Sequence, residues 1–289
     1  MEQAFNSEFY AKLRSLRMSI ALSNAAGMSG GRKSKAKGNS VEFSDFREYM
    51  LGDDIRRIDW NAYGRFDKLF IKLFMEEKEG LFHVVLDASR SMDYGVKNKA
   101  VAAKRLAGAL SYIVLENGDR LFLDIMKDGQ MEMHRGMTGM QAFRKSIELL
   151  ERTEFDATGD FLSSLKRGNF KQSGMSFFIS DGYCENLEEV FKYLRFCHQE
   201  VVFLHVLSPE ERDPVFEGTV QMVDCETGAD IRMSMSGSVL RSYKKTYEDF
   251  IRNIEATCKK HSVIYIPISS DASVDSLLYG SLSRLATNN

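Results

Sequence analysis

The chain has 289 residues, of which 44% are hydrophobic and 28% charged, with a formal net charge of −2. That length holds one large core, or a core with a smaller appendage, and the near-neutral balance gives no global attraction to DNA, RNA or anionic lipid. No run reaches the ~20 apolar residues that cross a bilayer. The amphipathic, acid-bearing start MEQAFNSEFYAKLRSLRMSI lacks the form of a secretion signal, so a cytoplasmic chain without a membrane span is expected.

Residues 8–22 read as a first helix, with Phe9, Leu13, Leu16 and Ile20 at helical spacing. The Gly- and Lys-rich stretch 27–40 reads as a loop. Its Arg32, Lys33, Lys35 and Lys37 lack interleaved aromatics and suit a solvated loop better than a nucleic-acid site. Residues 41–78 alternate short apolar clusters with dense charge, and Leu69–Met75 reads as a strand. These first 78 residues are expected to form an N-terminal signature segment packed on a core at 79–289.

From residue 81 the pattern changes. The apolar runs 81–86, 120–126, 175–180, 201–207 and 263–268 are nearly continuous, as strands covered on both faces require. A run at 130–134 is expected to form a hairpin with 120–126. Helices are expected near 97–116, 139–151, 160–167, 186–196, 238–260 and 273–286. The first of these places Leu106, Leu110, Ile113 and Val114 on one face. Strands alternating with helices predict an α/β fold, a doubly wound, mostly parallel six-stranded sheet of Rossmann-like order 3-2-1-4-5-6. An N-terminal helix/strand extension precedes it. A β-hairpin insertion at about 216–233 turns around Glu226, Thr227 and Gly228. Cys184, Cys197, Cys225 and Cys258 form no close pair, which argues for free thiols rather than a zinc or redox motif. His83 and His205 lie inside apolar strands and read as core histidines.

This topology brings Asp87, ending the first strand, and Asp181, ending the fourth, to one edge of the sheet. Asp87 opens Asp-Ala-Ser-Arg-Ser, so two carboxylates and the hydroxyls of Ser89 and Ser91 converge there. Hard oxygen donors of this kind suit Mg²⁺ or another small divalent cation. Taken singly, each residue is equally an ordinary turn former.

The Asp87-Ala-Ser89-Arg-Ser91 run followed by Ile179-Ser-Asp181-Gly182 resembles the metal-ion-dependent adhesion site of von Willebrand factor A-like domains. That resemblance implies Mg²⁺ or Mn²⁺ held by Asp87, Ser89, Ser91 and Asp181, with a threonine from an intervening loop. Residues 156–165, DATGDFLSSL, are similar to that loop, but Gly159 stands in the register where relatives carry threonine. Thr158 lies one residue early, leaving Thr158 or Asp160 to complete the site, or the site metal-free.

Residues 38–78, with GNSVEFSDFREYMLGDDIRRIDWNAYGR at their head, resemble the signature of the bacterial domain of unknown function 58 family, as does FEGTVQMVDCETGADI at 216–231. The resemblance implies a non-catalytic protein–protein interaction adaptor working with a MoxR-type AAA+ ATPase in chaperone-like maturation or assembly. Arg47, Asp53, Asp54, Arg56, Arg57, Asp59 and Trp60 form either a partner-docking surface or a structural ion-pair network. Two competing functions remain: a Mg²⁺-dependent phosphoryl-transfer enzyme using Asp87, and a metal-free structural interaction module. The lack of a P-loop, dinucleotide fingerprint or Ser-His-Asp order speaks against an enzyme.

Overall fold

The computed structural model describes residues 4–15, 41–50, 53–66, 68–76, 79–168, 170, 172–214, 219–223, 230–234, 236–273 and 276. The chain divides into two compact units, residues 21–79 and residues 1–20 with 80–289.

The larger unit is built on a six-stranded sheet. Its strands are β3 (Leu81–Asp87), β4 (Arg120–Lys127), β5 (Gln130–Met137), β6 (Gly174–Ser180), β7 (Gln199–Leu207) and β10 (Ile264–Ser269), in the order β10-β7-β6-β3-β4-β5. All neighbours pair in parallel except the β4–β5 hairpin. This is the doubly wound order expected of a von Willebrand factor A-like domain. Right-handed crossovers lead outward from β3 in both directions, so β3 and β6 meet where the winding reverses.

Two apolar layers cover the sheet. On one face, α1 (7–15), α3 (Lys99–Glu116) and α4 (Gly139–Arg152) pack on Val84, Leu86 and Leu123. On the other, α5 (Phe161–Arg167), α6 (Leu187–Phe196) and α8 (Gly237–Lys260) pack on Val85, Phe178 and Phe203. Strand β3 is buried from Phe82 to Asp87, which is why its sequence shows no polar alternation. Phe9 and Leu13 of α1 are also buried in the core. The first helix therefore belongs to the core unit and not to the N-terminal segment in which the sequence reading placed it. Its apolar face needs a partner, and α3 and α4 supply one. Residues 16–22 of the expected helix, and nearly all of the helix expected at 273–286, lie outside the described residues.

The smaller unit pairs β1 (Val41–Glu48) antiparallel with β2 (Phe70–Glu76), and α2 (Trp60–Phe66) precedes β2. The strand β1 escaped the sequence reading because its register slips between Phe43 and Asp45, which breaks the apolar alternation. The expected hairpin insertion forms from β8 (Thr219–Val223) and β9 (Asp230–Ser234), while its apex lies outside the described residues. Of the four cysteines, Cys184, Cys197 and Cys258 are not in disulfides and Cys225 lies outside the described residues.

Candidate functional site

Strand β3 runs directly into the site. Asp87 is its last residue and is fully buried. Its Oδ1 accepts from the Ser89 amide at 2.8 Å, and its Oδ2 accepts from the Ser180 hydroxyl at 2.7 Å. The Ser89 and Ser91 hydroxyls lie 3.0 Å apart. The loop ahead of α5 lies alongside this turn: Arg90 N donates to Ala157 O at 2.9 Å and Ala157 N to Ala88 O at 3.2 Å.

Strand β6 delivers the second carboxylate. Asp181 follows its last residue and is fully buried, and Gly182 beyond it turns the chain at φ +72°. The positive φ calls for glycine, and a Cβ there would also crowd the Ile254 side chain at 3.0 Å. The fully buried Lys99, at the start of α3, donates to Asp181 Oδ2 at 2.7 Å and to Glu211 Oε1 at 2.5 Å. Its Nζ also sits 5.7 Å from the Tyr94 ring centroid and 5.4 Å from that of Tyr183. Glu211 is held in turn by a capping box on the short helix α7 (Pro209–Arg212), where its other oxygen accepts from Ser208 N at 2.9 Å. The main-chain carbonyl of Asp181 lies 2.7 Å from His205 Nε2. A carbonyl can only accept, so Nε2 carries the proton and Nδ1 accepts from the Tyr265 hydroxyl at 2.9 Å.

Burial, and then the charge of Asp181 beside it, push the Asp87 carboxyl up to about 7. Burial alone would lower the Lys99 ammonium, but the carboxylates of Asp181 and Glu211 outweigh it and raise its pKa. Burial also raises the pKa of Glu211, against the opposing pull of that ammonium. Burial holds His205 down at about 4, so its ring is neutral at pH 7.

Four of the five expected metal ligands converge on this edge: Asp87, Ser89, Ser91 and Asp181. Thr158 does not join them. It is exposed, and both its amide and its hydroxyl engage Asp128 Oδ1, at 2.8 and 3.3 Å. Asp160 does not replace it, because its carboxylate caps α5 by accepting from Ser163 N. The donor set as it stands does not fit a divalent ion. One Asp181 oxygen is already held by an ammonium, Thr158 is turned to Asp128, and among the described residues no three acidic, histidine or cysteine side chains are grouped to hold an ion. The sequence reading missed Lys99, Glu211 and Ser180, and it took His205 for simple core. Two signals were legible. Lysine opens α3, where a cation opposes the helix dipole, and Ser208-Pro-Glu-Glu211 spells a capping box.

In the smaller unit, local structure claims most of the acidic signature residues. Asp53 binds Arg47 at 2.9 Å and accepts from Met50 N at 2.9 Å. Asp54 caps the short 3-10 helix Ile55–Arg57 by accepting from Arg56 N. Asp59, nearly buried, caps α2 by accepting from the amides of Asn61 and Ala62. The exposed groups are Arg56, with a side chain 90% accessible, Asp54, at 54%, and Trp60, at 64%, which meets Tyr63 edge-on. The Arg57 side chain lies outside the described residues.

Residues 45–253 match the family described as "Protein of unknown function DUF58". An uncharacterized protein of Mycobacterium tuberculosis is 26% identical over 230 residues, covering 75% of this chain and 71% of its own. Its counterpart in Mycobacterium bovis matches equally. Among solved structures, the conserved hypothetical protein BatB from Bacteroides thetaiotaomicron is 17% identical, at a TM-score of 0.46, over 72% of this chain and 99% of its own. An aerotolerance-related membrane protein from Bacteroides fragilis is 15% identical at a TM-score of 0.45, over 72% and 99% respectively.

Proposed function

We propose, for a chain that belongs to the DUF58 family of proteins of unknown function, a role as a non-catalytic adaptor that docks a protein partner at the carboxyl edge of its sheet. The partner is a MoxR-type AAA+ ATPase, the client acts through it, and the setting is the cytoplasm. One observation carries the reading. Both oxygens of Asp87 accept from in-protein donors and Asp181 is paired with Lys99, so the carboxylates brace the edge instead of attacking a substrate. A carboxyl that is buried and held up at about 7 is also half protonated at neutral pH, which weakens it as a nucleophile. Exposed aromatic rings flank the braced residues: Tyr94 is 45% accessible and Tyr183 39%. Rings of this type are favoured anchors at protein interfaces. Trp60 and Arg56 offer a second contact surface on the smaller unit. Among the described residues no helix is long and apolar enough to cross a membrane.

The test is capture of a purified MoxR-type ATPase on the immobilised chain, comparing wild type with Tyr183→Ala and Trp60→Ala. Association that Tyr183→Ala weakens at least tenfold, in a variant that circular dichroism shows folded at the assay temperature, is the expected result. Equal association by wild type and both variants would sink the docking assignment. Mg²⁺-dependent phosphatase turnover that Asp87→Asn abolishes would replace the adaptor with an enzyme.

A further inference from the structure

The unusual feature of this edge is a cation that belongs to the chain itself. Lys99 is fully buried, a rare state for lysine and one that requires pairing. It opens α3 against the helix dipole, with no acidic residue in the first turn to offset it. It is nonetheless fixed on every side that is described: Asp181 at 2.7 Å, Glu211 at 2.5 Å, and the rings of Tyr94 and Tyr183 within the range of cation–π attraction. Glu211 is itself anchored through Ser208 N, and Tyr243 OH donates to the Glu211 main-chain carbonyl at 2.6 Å. The cage thus draws on the β3–α3 loop, α3, the β6–α6 loop, α7 and α8.

We propose that the Lys99 ammonium is the resident cation of this site, fixed in place of a divalent metal, so that the edge is built to work without one. A divalent ion bound at Asp181 would sit beside a like charge already paired to that carboxylate, a repulsion that low dielectric strengthens. The missing hydroxyl agrees with this: Thr158 is committed to Asp128 and turned away. Removing the ammonium should leave Asp181 and Glu211 as uncompensated buried charges rather than create a metal site, since among the described residues no three acidic, histidine or cysteine side chains are grouped to hold an ion. The inference concerns the same edge as the adaptor role but stands apart from it, because its readout is thermal stability with and without metal and not partner capture.

The experiment compares thermal unfolding of the whole chain in EDTA and in graded Mg²⁺ or Mn²⁺. Wild type is expected to melt at the same temperature throughout. Lys99→Ala is expected to melt lower than wild type by roughly 6–20 °C, and by the same amount in EDTA and in either ion. Adding Asp181→Asn and Glu211→Gln should restore most of that loss, because neutral amides need no cation. Should Lys99→Ala not fold in EDTA, Lys99→Ala with Glu211→Gln carries one buried charge fewer and is read in the same way. Saturable one-site metal binding by wild type that Ser89→Ala abolishes would overturn the proposal. So would a folded Lys99→Ala that melts at the wild-type temperature in EDTA.

Discussion

Replacing Lys99 by methionine removes the charge while keeping an unbranched chain of similar length. The ammonium lies between two carboxylates whose side chains are 0% and 10% accessible, and its own side chain is 1% accessible. Taking one partner out of a buried ionic cluster leaves uncompensated charge behind and typically destabilises by about 3–5 kcal/mol. Domains of this kind hold about 5–15 kcal/mol in total, so the loss is a large share of the whole. At about 2–4 °C per kcal/mol for a unit of this size, the melting temperature should fall by roughly 6–20 °C. Urea unfolding followed by circular dichroism gives the same quantity as a midpoint shift at unchanged slope. The triple variant Lys99→Met, Asp181→Asn, Glu211→Gln should recover most of the loss, because neutral amides need no cation. The reasoning fails if Lys99→Met alone stays within about 0.5 kcal/mol of wild type, the range of an ordinary surface substitution.

Two buried groups give the pH profile opposing slopes. Asp87 is raised from 3.8 to about 7, so it favours the folded state below pH 4 and that advantage is lost as pH rises towards 7. His205 is depressed from 6.5 to about 4, so its contribution is present above pH 6.5 and lost as pH falls towards 4. Asp87→Asn should therefore leave stability rising between pH 4 and 6.5, whereas His205→Leu should leave it falling between pH 4 and 7; urea midpoints across that range check both. Thr158→Ala should change stability by less than about 0.5 kcal/mol, since it loses one long exposed hydrogen bond, and calorimetry would detect a larger effect. Gly182→Ala should lower the melting temperature by several degrees, at a cost of about 1–2 kcal/mol for the left-handed backbone alone, in a thermal scan.

The sequence by itself determined the architecture. Five nearly continuous apolar runs separated by amphipathic stretches leave few arrangements other than a doubly wound parallel sheet, because strand burial on both faces and crossover handedness act locally along the chain. Asp87 and Asp181 were legible as a pair for the same reason: both close strands, and the order of those strands makes them neighbours. The 41–66 signature was legible as a cluster of charge, but not its division of labour. Asp53, Asp54 and Asp59 satisfy nearby amides, while Arg56 and Trp60 face solvent. Only the tertiary structure decided which cation the site holds. Lys99 is 82 residues from Asp181 and 112 from Glu211. Nothing in local spacing links these three, since ionic pairing depends on distance in space and on exclusion of water, and both arise only once α3, α7 and the sheet edge have packed together.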